Sequence, residues 1–474
     1  MRLPNIILIM SDNQSAFTLG AYGNPDAVTP NIDQLAQNGL TLNNAFCPNA
    51  MCSPCRASVL TGKMPSGHGI HTWLNDRLAK QWPKNWNALD GLDTLTQRAK
   101  LAGYNTAIIG KYHLGIPTTG QNGIDHWEVM VNGHTTYFTD QTLWVNGDVQ
   151  TCPGHSVDHF MSRAADWIAS APEPYFLILT PNGPYGHWPA IKGVPDIPHY
   201  AQFADCTFDS IPREGLSAET IALYDLQKDL SGPGGPDFSS LLKMPNDLTT
   251  LRNYFAQMAL LDDGVGKVMD AAGDSARIVY TSDHGFSLGH HGFWGHGQAT
   301  WPANAFREAY NIPLILNGPG IPQGQSDALA SGLDLFPTLS DWMGVEGPAF
   351  DGVSLTPLIE GGEYQRDVIF IEQEETRAVR TDDALLVTRF DGSTAYPLNS
   401  EFYDLHADPA ERIDVSNHPE NREKIEDLQT QIDAFFVTAA DPRFDLWNGG
   451  AAKSNTSRPW LWKDPWGADW ACVH

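Results

Sequence analysis

Cys52-Ser53-Pro54-Cys55-Arg56-Ala57-Ser58-Val59-Leu60-Thr61-Gly62 is the stretch from which the rest of the chain is read. Two cysteines three apart fit a redox pair, and with Cys47 nearby they also suggest a thiolate metal site. Neither reading uses Pro54, Arg56 or the closing Leu60-Thr61-Gly62. A thiol followed one helical turn later by a guanidinium is a different arrangement. Residues four apart share a helix face, and arginine stays charged and presents a planar fork to an anion.

On either side of this stretch, short apolar runs alternate with helical patterns. Runs at 6–10, 106–109, 175–179, 277–280 and 312–316 read as buried strands. Helical periodicity falls at 31–37, 92–102, 157–169, 251–271 and 333–343. Strand and helix in repetition predict an α/β fold: a large, mostly parallel sheet covered by helices on both faces. In such sheets ligands collect beyond the carboxyl ends of the strands. Asp12 and Asn13, Lys111 and His113, His187, and Asp283 and His284 all follow predicted strands. After about 361–367 the texture changes to strands at 368–372, 376–380 and 385–390 and a helix at 422–436. This gives a large domain over 1–365 and a small α+β subdomain over 366–474, with a Trp-rich tail that wraps back on the body or meets a second copy. The Pro- and Gly-rich segment 195–245 reads as an insertion or lid.

The chain has 474 residues and a formal net charge of −27, which argues against nucleic acid and anionic membranes as partners. An anionic substrate stays open, because a local cation cluster outweighs the global field at short range. Six cysteines in so long a chain are no disulfide framework. The run at 1–10 reads as a strand rather than a leader, no stretch approaches a membrane span, and a soluble cytoplasmic protein is expected.

The string 52–62 resembles the Cys-x-Pro-x-Arg…Leu-Thr-Gly motif of the sulfatase family. In that family the cysteine is oxidised to formylglycine, whose hydrated aldehyde attacks sulfate. Gly110-Lys111-Tyr112-His113-Leu114-Gly115 is similar to the family's Gly-Lys-Trp-His-Leu-Gly, and His187-Trp188-Pro189 to its His-x-Pro. Thr29-Pro30-Asn31-Ile32-Asp33, Asp334-Leu335-Phe336-Pro337-Thr338 and Asp351-Gly352-Val353-Ser354-Leu355 extend the likeness over most of the chain. The resemblance implies the alkaline-phosphatase-like fold, with a small C-terminal antiparallel sheet plus helix. It also implies a maturing enzyme as partner, because a thiol at position 52 is a poor sulfuryl acceptor.

Attack on a sulfate ester needs a cation on its oxygens, a positioned nucleophile and a proton for the leaving alcohol. Asp12, Asn13, Asp283 and His284 form two vicinal pairs suited to a hard divalent cation, with residue 52 as a further ligand. Ca²⁺ is expected, with Mn²⁺ or Mg²⁺ as alternatives because asparagine and histidine replace carboxylates. By the resemblance Arg56 fixes the formylglycine diol, Lys111 binds sulfate oxygens, His113 contacts the formylglycine, and His187 donates to the leaving group. The chain departs from the family after Asp283-His284-Gly285. A Trp-x-Lys is common there, but this sequence runs Gly289-His290-His291-Gly292-Phe293-Trp294-Gly295-His296, with no lysine between Lys267 and Lys424. His296 is expected in the lysine's role, with His290, His291 and Arg307 as substitutes. The expected activity is hydrolysis of a small-molecule or carbohydrate sulfate monoester. The alternatives are a phosphonate monoester or phosphodiester hydrolase on the same scaffold, or a relative that has lost catalysis. A homo-oligomer is compatible with the Trp-rich tail.

Overall fold

The computed structural model describes residues 3–187, 190–191, 197–215, 218, 221–222, 225–226, 229, 247–347, 350–392 and 398–474. Its centre is a ten-stranded mixed sheet. In chain order the strands are β1 (Asn5–Ser11), β2 (Leu40–Phe46), β3 (Asn105–Gly110), β4 (His126–Met130), β5 (Thr142–Val145), β6 (Asp148–Thr151), β7 (Tyr175–Thr180) and β8 (Ala276–Ser282). A short hairpin of β9 (Ser287–Leu288) and β10 (Trp294–Gly295) precedes the last two strands, β11 (Leu314–Asn317) and β12 (Gly324–Ser331). The spatial order is β12-β2-β11-β8-β1-β7-β3-β4-β5-β6. The middle, β8-β1-β7-β3-β4, is parallel throughout.

Every residue of β1 is buried, which is why it reads as an unbroken apolar run rather than an alternating one. Its pleat still sorts the side chains. Ile6, Leu8 and Met10 enter one core layer, and Ile7 and Ile9 enter the other. The second layer is closed by the helices Ser156–Ser170 and Leu248–Ala272, which bury Val157, Phe160, Leu251 and Phe255. They meet at Gly264, where an added Cβ would stand 2.4 Å from Met161 Cγ. The first layer is covered by Cys52–Thr61, Leu95–Leu101 and Leu335–Met343.

A four-stranded antiparallel sheet follows: β13 (Ile369–Gln373), β14 (Thr376–Arg380), β15 (Ala384–Arg389) and β16 (Glu401–Asp404). Ile369, Ile371, Ala378, Leu385 and Val387 pack into the main core. Val379, Leu386 and Phe402 pack against Leu428, Ile432 and Phe436 of the helix Arg422–Ala439. The small sheet is thus filling between body and helix.

The tail returns to the body. Lys453 N–H donates to Gly69 O at 2.7 Å, and Trp82 Nε1–H donates to Ser454 Oγ at 3.1 Å. Arg458 is fully buried against Glu374 and Glu375. Of the expected lid over 195–245, residues 197–215 bring Phe203 and Phe208 against Phe255, and most of the remainder lies outside the described residues, as do Trp188 and Pro189. No described helix is long and apolar enough to cross a membrane.

Candidate active site

Neighbouring strands of the parallel core deliver the predicted residues to one place. Ser11 of β1 pairs with Ser282 of β8, so Asp12 and Asn13 leave the sheet beside Asp283 and His284. Asp283 N–H donates to Ser11 O at 3.1 Å, and Asn13 N–H donates to Asp283 Oδ1 at 3.2 Å. Lys111 follows the last residue of β3, Gly110, which has φ 121° and whose absent Cβ would stand 2.1 Å from Thr180 O. Only glycine allows that turn. Cys52 begins the helix Cys52–Thr61, all ten residues of which are buried.

The thiol is the meeting point. Cys52 Sγ lies 3.3 Å from His284 Nε2, 3.4 Å from Lys111 Nζ, 3.6 Å from Asp12 Oδ1 and 4.0 Å from Asn13 Oδ1. Ligand atoms of Asp12, Cys52, Asp283 and His284 all lie within 4.8 Å of one another. His284 Nδ1 is 2.8 Å from Gly285 O, an acceptor that fixes the proton on Nδ1 and leaves a lone pair on Nε2. Asn13 adopts the left-handed region at φ 63°, held by the Tyr254 hydroxyl donating to its carbonyl at 2.6 Å. Two carboxylates, an imidazole lone pair and an amide oxygen in a closed pocket fit one divalent cation.

The cations answer the carboxylates. Lys111 Nζ donates to Asp12 Oδ2 at 2.7 Å, with both side chains fully buried. Burial lowers the Lys111 pKa, but the Asp12 carboxylate outweighs it and the pKa rises. Arg56 donates from Nη2 and Nε to Asp283 Oδ2 at 2.8 and 3.1 Å, and from Nη1 to Lys111 O at 2.8 Å. Its fork therefore orients a ligand carboxylate and the strand end that carries Lys111, and its hydrogen bonds do not include the expected grip on residue 52. Burial raises the Asp283 pKa, and neighbouring positive charges, Arg56 and Lys111 among them, reverse that and hold it well below the usual range. Burial pushes the Cys52 thiol up, against the pull of Lys111. Lys111 and Arg56 balance Asp12 and Asp283 one for one, so a bound dication would make the pocket net positive toward an anionic ester.

The histidines line the same pocket. His113 sits at φ 54° with Nε2 2.9 Å from Leu74 O, and its Nδ1 has no partner among the described residues. The ring centroid of His296 is 5.2 Å from that of His284 and 4.7 Å from that of His187, and its Nδ1 is likewise unpartnered among the described residues. Burial, aided by neighbouring cations and imidazoles, holds His113, His187 and His296 far below the ordinary histidine pKa and therefore neutral. His290 and His291 lie elsewhere, against Phe17 and Phe306 respectively, and Arg307 turns to Asn44.

Two further residues belong here that no motif announced. The Tyr185 ring lies 5.0 Å from Lys111 Nζ, and its hydroxyl is 3.0 Å from His134 Nδ1. Burial, with Lys111 nearby, lowers the His134 pKa to about 4. His134 follows β4, a strand the apolar pattern did not reveal. Tyr185 stands two residues before His187, the single sequence hint to either.

A sequence model described as Sulfatase matches residues 4–345, and one described as N-sulphoglucosamine sulphohydrolase, C-terminal, matches 299–437. The N-acetylglucosamine-6-O-sulfatase of Bacteroides thetaiotaomicron is 24% identical, covering 91% of this chain and 86% of its own. Arylsulfatase A of Bos taurus is 29% identical over 86% of this chain and 78% of its own. In fold the chain is similar to a structure solved in complex with its substrate D-glucosamine-2-N,6-O-disulfate (TM-score 0.74, 22% identity, 92% of this chain and 98% of that one). It is also similar in fold to the phosphonate monoester hydrolase of Agrobacterium radiobacter (TM-score 0.72, 21% identity, 93% and 96%). With its strand ends gathered on Cys52 and the first of these models spanning most of its length, the chain belongs to the sulfatase family of enzymes.

Proposed function

We propose that this chain hydrolyses the sulfate monoester of a carbohydrate, using Cys52 matured to formylglycine beside one divalent ion. The observation that carries this reading is the gathering of Asp12, Asn13, His284 and Lys111 within 4.0 Å of Cys52 Sγ. A sugar as the alcohol is favoured by the relative named N-acetylglucosamine-6-O-sulfatase and by the fold neighbour bound to a glucosamine disulfate. Asp12, Asn13, Asp283 and His284 would hold the ion, with matured residue 52 completing the set. We assign Ca²⁺, with Mn²⁺ its main competitor because only two ligands are carboxylates. When present, the ion polarises the sulfate oxygens and matured residue 52 supplies the oxygen nucleophile.

The chain's own side chains carry the rest. Lys111 keeps a buried positive charge 3.4 Å from the atom of residue 52, where a sulfate oxygen would share it. Arg56 holds Asp283 and the Lys111 carbonyl in register. His113 has Nε2 committed to Leu74 O, so proton acceptance at position 52 falls to its free Nδ1. His296 and His187 are neutral imidazoles whose ring centroids lie 4.7 Å apart, and they would offer N–H hydrogen bonds to the charge developing on the departing oxygen.

The rival reading, a phosphonate monoester hydrolase, draws on the imidazole among the ligands and on the shared fold. Rates on a sulfate and a phosphonate monoester with the same leaving group decide between them. We expect sulfate to be faster by about tenfold or more, since each tenfold is a modest 1.4 kcal/mol of transition-state preference. Equal or reversed rates would transfer the assignment.

A further inference from the structure

We infer that Trp73 is the stacking platform for the leaving alcohol, with His134 beside it, and that both are built for a polyhydroxylated ring of the sulfated-pyranose class. This rests on the sulfatase reading above and adds where the sugar sits. The reacting centre is closed: Asp12, Asn13, Lys111, Asp283 and His284 are fully buried, and Cys52, Arg56, His113 and Tyr185 are nearly so. Around it, Trp73, His134 and His187 are partly exposed. Their rings form a continuous edge. Trp73 and His134 have centroids 5.7 Å apart, His134 and His187 6.5 Å, and His187 and His296 4.7 Å. An ester whose sulfate reaches Lys111 can lay its alcohol against this edge.

The edge is braced to the catalytic groups on both sides. Leu74 N–H donates to Ser53 Oγ at 3.0 Å, next to Cys52, and Leu74 O accepts from His113 at 2.9 Å. Trp73 is therefore one residue from both the nucleophile's helix and the catalytic imidazole. On its outer flank Asn455 of the tail bridges the same segment, donating from Nδ2 to Trp73 O at 3.1 Å and accepting Asn75 N–H at 3.3 Å. Asp76 in turn accepts the backbone N–H groups of His134 and Gly133 at 2.9 and 3.2 Å. One short run, 72–76, so ties Cys52's neighbour, His113, the His134 loop and the tail together. A partly exposed indole on so rigid a mount, with imidazole N–H groups at its side, offers an apolar face and polar edges. That combination suits a pyranose better than an acyclic chain.

The test compares wild type, Trp73→Ala and Trp73→Phe on glucosamine 6-sulfate and on propyl sulfate, which has no ring. Trp73→Ala should lower the sugar-to-propyl ratio of kcat/KM about tenfold or more, mainly through KM for the sugar, and Trp73→Phe should restore most of it. An equal loss on both substrates, or no loss on the sugar, would overturn the platform. Binding separates this from the fate of the hydrolase reading. Saturation-transfer NMR of glucosamine 6-sulfate on Cys52→Ala should show contact with its ring protons that disappears in Cys52→Ala/Trp73→Ala. Ring contacts that persist in the double variant would remove Trp73 from the site whether or not the wild type turns over any ester.

Discussion

His296 is the residue proposed for the place of the family's lysine, and its surroundings define what it can offer there. Its ring packs between His284 and His187, and burial keeps it neutral. A neutral imidazole offers an N–H rather than a charge, so its contribution belongs to the leaving oxygen. His296→Ala should lower kcat by about 10²–10³-fold, as loss of one hydrogen-bond donor to developing charge does, while urea denaturation should show a stability change of only about 1–2 kcal/mol. Near-wild-type kcat would remove it from the mechanism. Gly133 is a second test at this scale. A Cβ there would stand 1.9 Å from His113 Cδ2, so Gly133→Ala should displace the imidazole and cut kcat about 10–100-fold. Unchanged kcat in a folded variant would mean that the His113 position is not critical. Asp12, Asn13, Lys111, Asp283 and His284 were legible in the sequence because each lies a few residues beyond the end of an apolar run. The partner of Arg56 was not. It is a carboxylate 227 positions away, and only strand pairing brings it near.

At the level of elements, the central strands were legible because burial on both faces leaves an uninterrupted apolar run, as in β1 and β7. The flanking strands were not. β6 is exposed along its whole length, and five of the eight residues of β12 are not buried, so neither needs an apolar run. The tail is docked by a feature that sequence periodicity does not carry: Glu374, buried beneath it, accepts from Thr456 Oγ1 at 2.6 Å and Ser457 N–H at 2.8 Å. Burial, only partly offset by Arg458, raises the Glu374 pKa from 4.5 to about 7. The folded state then keeps a proton that the unfolded chain has released. The associated stability is fully present below about pH 4.5 and is lost as the pH rises through 7, a span of roughly 3 kcal/mol. Glu374→Gln should flatten urea-derived stability between those pH values relative to wild type. Parallel profiles for the two proteins would show that Glu374 does not titrate in that window.

The molecule as a whole is strongly acidic, yet it buries Arg56 and Lys111 beside Asp283 and Asp12 at the ends of its parallel strands. In physiological salt the field of distant acidic groups is largely screened beyond about 8–10 Å, so at the pocket the local charge governs. The fold makes this workable by placing the charged residues where parallel strands stop and their side chains must converge. The central claim is that this convergence activates an oxidised residue 52. It is tested most directly by preparing the protein with graded co-expression of a sulfatase-maturing enzyme. In each preparation the aldehyde fraction in the tryptic peptide 3–56 is measured by mass and set against kcat on a sulfated sugar. The account predicts turnover proportional to the aldehyde fraction, with a line through the origin. Full turnover in a preparation whose residue 52 is entirely thiol would contradict it.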